Sequence, residues 1–154
     1  MGADLYIPSI QRARRQKYEA AFNEAVEKRN ALKPPYNEEY QEQVDFYWHK
    51  MYSVGYFRDS YNNSNLLWRF DFSYWQNELK LNENGDLPPS EAKRLLTMLK
   101  EAEPIFEASL QRVRDEGWSD DPEDVIDYFR MKYLRLRVFL KMAIKLNEAI
   151  YWSV

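Results

Sequence analysis

The sequence predicts an all-α fold, a single-domain bundle of about five helices around a central, long C-terminal one. Three observations carry that expectation. Apolar residues recur at 3/4 spacing over most of the chain, the period of one helix face. Glycine and proline fall at a few breaks between those stretches, where helices end or begin. No run shows the strict alternation of a half-buried strand, and there is no internal repeat. At 154 residues the chain fits one domain, 1–154, large enough to bury a real core.

The first helix is predicted over residues 9–32, with Ser9 as candidate N-cap and "KPP" as the stop. Ile10, Tyr18, Ala21, Phe22, Ala25 and Leu32 form its apolar stripe. The second, over 37–54, turns Tyr40, Val44, Tyr47, Trp48 and Met51 inward and ends at Gly55, a residue that tolerates positive φ. The third, over 63–79, gathers Leu67, Trp68, Phe72, Trp75 and Leu79 on one side, and "NENGD" then makes a turn.

The fourth helix starts at Pro89 and presents Leu95, Leu99, Phe106 and Leu110. Pro104 removes a backbone donor and clashes with the preceding turn, which predicts a kink at residues 100–103. "DDPEDVIDYF" opens the fifth: Asp121 caps, Pro122 takes the first helical position, and Glu123 and Asp124 suit the positive end of the helix dipole. This helix runs to about residue 150. Its apolar arc includes Ile126, Phe129, Leu136 and Leu140, with Val138, Met142 and Leu146 alongside. So wide an arc predicts a helix buried on nearly all sides. Arg130, Arg137, Lys141 and Lys145 mark the narrow strip left to solvent.

Composition narrows function mainly by exclusion. The formal net charge of −3 argues against nucleic acid as a partner. There is no cysteine, so disulfides, thiolate metal sites and cysteine nucleophiles are excluded, and a reducing compartment fits. No apolar run reaches the length of a membrane span, and the N-terminus lacks the apolar stretch of a signal peptide. Gly2 is followed by Tyr6 where a myristoylation motif has Ser or Thr. A soluble, cytoplasmic protein without a membrane partner is expected.

Signals for chemistry are weak. His49 is the one histidine. With Asp45 one helical turn away it could supply two metal ligands, and two more would have to come from carboxylates at positions the sequence does not identify. No glycine-rich phosphate loop exists, and "NENGDLPPSE" misses the calcium-loop spacing. No catalytic residue, metal or cofactor is expected.

Two groups of residues stand out instead. Arg14 and Arg29 share a helix face with Tyr18 and Ala25; Asp71 lies among Leu67, Trp68 and Trp75; Lys132, Arg135 and Asn147 fall inside the broad arc of the last helix. A buried unpaired charge is costly, so Asp71 is predicted buried and paired with Arg135, or failing that with Arg14 or Arg29. These groups form either structural ion pairs or the polar lining of a ligand pocket. The second group lies in a segment holding fourteen of the chain's twenty-five aromatic residues, from Tyr36 to Trp75. There "GYFRDSYNNSN" offers Tyr56, Phe57, Arg58, Asp59, Tyr61 and Asn62 as a compact corner over the core, a recognition loop, or both. Tyr and Arg are residues that anchor interfaces.

The function expected from these residues is that of a small acidic interaction protein of inhibitor, immunity or adaptor type, binding another protein; a homodimer is compatible with the sequence. The alternative is a small-molecule binder or enzyme using an Asp71/Arg135 pocket and the loop from Tyr56 to Tyr61.

Overall fold

The structure is a computed structural model that describes residues 2–60, 66–71, 79–117 and 119–153. The protein is mostly α. Five α-helices occur among the described residues: α1 (Pro8–Asn30), α2 (Glu38–Tyr52), α3 (Pro89–Glu101), α4 (Glu103–Asp115) and α5 (Pro122–Leu146). A short 3-10 turn, Leu67–Phe70, precedes α3. Strands β1 (Gly2–Tyr6), β2 (Tyr56–Ser60) and β3 (Tyr151–Ser153) form a small sheet in the order β2-β1-β3.

The chain divides into two compact units, residues Tyr6–Tyr56 and the remainder. The first is the α1–α2 hairpin. Its seam is thin, with only Gln11, Ala25, Val44 and Met51 fully buried on the two helices. Polar groups close it. The buried Gln11 amide donates to the carbonyls of Met51 (3.1 Å) and Val54 (3.2 Å), satisfying oxygens that a helix C-terminus leaves unpaired. Gly55, at φ 64°, turns the chain out of the hairpin. A Cβ there would stand 2.7 Å from Ile10 Cγ2, so both conformation and space demand glycine.

In the second unit α3 and α4 pack on α5. Leu95 and Leu99 of α3, Phe106 and Leu110 of α4, and Ile126, Leu136 and Leu140 of α5 are all at most 2% exposed. Phe106 stacks on Phe70 at 4.5 Å between ring centroids, and Tyr133 closes on Phe70 edge-on at 4.9 Å. Asp121 caps α5, accepting the Asp124 backbone N–H at 3.2 Å, and Asn147 in the left-handed region (φ 50°) ends it.

Several expectations need correction. The sheet was not foreseen, because its strands are three to five residues long. Alternation in β2 rests on two inward residues, Phe57 and Asp59, around the exposed Arg58. The fourth predicted helix is two helices, broken at Ala102 just before Pro104. The third does not run through as one α-helix: Asp71, at φ 61°, closes the 3-10 turn, while positions 63–65 and 72–78 lie outside the described residues. The first helix starts at Pro8, with Ile7 rather than Ser9 at the N-cap position and no side-chain cap. Finally, α5 is not buried all round: Met131, Leu134, Val138 and Leu146 are about half exposed, at 50%, 49%, 52% and 48%.

Candidate functional site

Of the residues singled out from the sequence, the structure brings together a pair that had been placed in different groups. Asp59, on β2, has its carboxylate fully buried, and Lys132 of α5 meets it with Nζ at 2.9 Å from Oδ1. The backbone N–H of Leu66 donates to both carboxylate oxygens at 3.1 Å. Lys132 Nζ also donates to the Tyr128 hydroxyl at 2.8 Å. The local cause is the strand's alternation, which turns Asp59 inward beside Phe57. Phe57 in turn lies against Phe139 of α5 at 6.4 Å. The pair is sealed from solvent, the Asp59 side chain having no exposed surface and that of Lys132 only 11%.

The remaining polar candidates do not converge. Asp71 and Arg135 are exposed, so neither the buried pair nor the pocket built on it forms. Asp71 lies on a turn rather than a helix face, which is why the helical wheel misplaced it. Arg14 donates to the carbonyl of Lys50 and Arg29 to Gln41 Oε1 (3.2 Å), so both hold α1 to α2. Asn147 is exposed and terminates α5. Among the described residues, no group of three or more His, Asp or Glu side chains could hold a metal ion.

Two polar sites escaped the sequence reading. Arg69, half-buried, lays its guanidinium 4.7 Å from the centre of the Phe129 ring and donates to the buried Ser109 hydroxyl (3.2 Å). Burial, then the neighbouring charge of Arg112, pulls it below the ordinary arginine value. Tyr133 donates to Glu103 Oε1 at 2.6 Å. Burial first, then that hydrogen bond and the charge of Glu103, push its pKa well above the usual tyrosine range.

The aromatic candidates separate by unit. Phe57 belongs to the core, and Arg58 is exposed, 3.7 Å from Asp4 Oδ1. Tyr61 and Asn62 lie outside the described residues. Tyr56, half-buried, ends a ladder of rings on the hairpin: Phe22 to Trp48 at 6.0 Å, Trp48 to Tyr52 at 4.3 Å, and Tyr52 to Tyr56 at 4.9 Å. Trp48 was expected inward; it is 44% exposed. The sequence carried the clue, since Phe46, Tyr47 and Trp48 in succession span some 200° of a helix and cannot share one face. Arg15 borders the ladder, held at 2.6 Å by Glu19. That hydrogen bond and charge raise its pKa, with smaller contributions from Tyr52 and Tyr6. On the hairpin, Trp48, Tyr52, Tyr56 and Arg15 thus form one continuous patch of partly or largely exposed side chains.

Comparison with protein-family models, curated proteins and solved structures finds no match to this chain.

Proposed function

We propose that this chain is a small interaction protein that recognises another protein through the aromatic patch of its hairpin, with Trp48, Tyr52, Tyr56 and Arg15 as the contact residues. The observation that carries the reading is the ring ladder with Trp48 almost half exposed at its centre. Trp, Tyr and Arg are the residues enriched where interface energy concentrates, and the rigid rings of Trp and Tyr bury large areas at small entropic cost. Apart from Arg15, which borders the ladder, the outer face of α1 is charged and carries no aromatic anchor, being built of Arg12, Lys17, Glu24, Glu27 and Lys28. No helix among the described residues is long and apolar enough to cross a membrane, and the lack of cysteine fits a role in the cytoplasm as an inhibitor, immunity-type or adaptor module.

The test is affinity capture from the native host, followed by titration of the captured partner with point variants. Arg15→Ala and Tyr56→Ala should leave the melting curve nearly unchanged. Each should weaken binding by about 2 kcal/mol, roughly thirtyfold. Arg58→Ala serves as a comparison on β2. Equal binding by wild type, Arg15→Ala and Tyr56→Ala would refute this reading.

A further inference from the structure

A different surface, the solvent side of α5, carries an inference independent of the hairpin. One face of this helix buries eight residues, from Ile126 to Ala143. A helix that needed nothing more would be polar opposite them. Instead Met131, Leu134 and Val138 stand about half exposed. They form the middle of a series spaced 3, 4, 3, 4, 3, 4. Two acids, Asp124 and Asp127, precede them, and two bases, Lys141 and Lys145, follow; all four are exposed. That spacing is the a/d seam of a coiled coil, which keeps one stripe of a helix facing a partner helix.

The order of charges selects the partner. A second α5 running parallel would set acid on acid and base on base. Running antiparallel, it sets Asp127 of each seam opposite Lys145 of the other. We infer that two copies of this chain associate through their α5 helices, antiparallel, about a two-fold axis between Leu134 and Val138. Leu134 of each copy packs on Val138 of the other, Met131 lies along the stem of Lys141, and Asp127 faces Lys145. A C2 contact of this kind is self-complementary and closes after two copies. Its apolar centre is short and its flanks are solvated, so the dimer is a reversible one and is sensitive to salt.

Sedimentation equilibrium from about 1 µM to about 1 mM protein tests this across the affinity range of a small interface. Wild type should pass from monomer to dimer as concentration rises. Leu134→Lys with Val138→Lys should stay monomeric throughout, with an unchanged melting curve at low concentration. Lys141→Glu with Lys145→Glu should weaken association at least tenfold, and adding Asp124→Lys and Asp127→Lys should restore it. These charge variants decide the matter should the double lysine variant fail to fold. Orientation is read by oxidation, because the chain has no cysteine of its own. Lys145→Cys protein should not cross-link to itself, its two copies lying about 27 Å apart along the antiparallel pair. A mixture of Asp127→Cys and Lys145→Cys proteins should cross-link. A wild type that remains monomeric, a dimer indifferent to the seam variants, or self-cross-linking at Lys145→Cys would each overturn the inference.

Discussion

Asp59 and Lys132 show what a buried charge requires. Each alone would lose several kcal/mol of hydration; together, with the Leu66 N–H and the Tyr128 hydroxyl, they are satisfied. Lys132→Met should therefore destabilise by about 3–5 kcal/mol in urea titration, because it strands the carboxylate, and Asp59→Asn added to it should recover much of the loss. A loss below about 1 kcal/mol would mean that water reaches Asp59. Tyr133 makes a second prediction, in pH. Its ionisation lies near 10 when unfolded and higher in the folded state. The stability it contributes is thus fully present below pH about 10 and is lost as pH rises through the folded value. Tyr133→Phe should lose stability less steeply than wild type above pH 10, measured by denaturant midpoints at successive pH values; equal slopes would sink the assignment. Neither pairing was readable from the sequence. A helical wheel assigns Lys132 to an apolar arc correctly, but it cannot say that its partner comes from a strand seventy-three positions earlier.

At the scale of elements, the start of α5 was fully legible: Asp121, Pro122, Glu123 and Asp124 each have a local reason to stand where they do, and the cap forms as expected. The exposed place of Lys141 and Lys145 was also foreseen. Lys141→Glu with Lys145→Glu should leave the monomer's stability within about ±0.5 kcal/mol, measured at low concentration where association does not contribute. A large drop in melting temperature would mean that this face is covered within the monomer. The breadth of the apolar arc was read correctly as unusual and wrongly as burial. Periodicity reports that a face seeks apolar company, and a partner helix, such as the second copy inferred above, can supply that company as well as a core does. The third predicted helix fails for a different reason. Its wheel assumed one continuous period through Asp71, and that residue, in the left-handed region, closes a 3-10 turn instead of continuing a helix.

Taken as a whole, the molecule has a thinly sealed hairpin and a second unit whose helices bury many more large side chains. Local opening should follow burial. In native-state hydrogen exchange the amides of α1 and α2 should open at lower free energy than those of α3, α4 and α5. Val44→Ala should lower protection in the hairpin while leaving α5 unchanged; uniform protection across the chain would contradict this. Dimers joined through α5 would carry two aromatic patches, which strengthens binding to a multivalent partner without any new contact. What the sequence determined by itself is whatever is set within about one helical turn: the mostly helical class, the breaks at glycine and proline, the cap of α5 and its exposed lysines. Tertiary structure decided what depends on distant segments meeting. It alone set the small sheet, the Asp59–Lys132 pair, the outward turn of Trp48, and the exposure of Met131, Leu134, Val138 and Leu146 on α5. The physical reason is that period and propensity are local properties of a chain, whereas burial is fixed by which other segment arrives to cover a face.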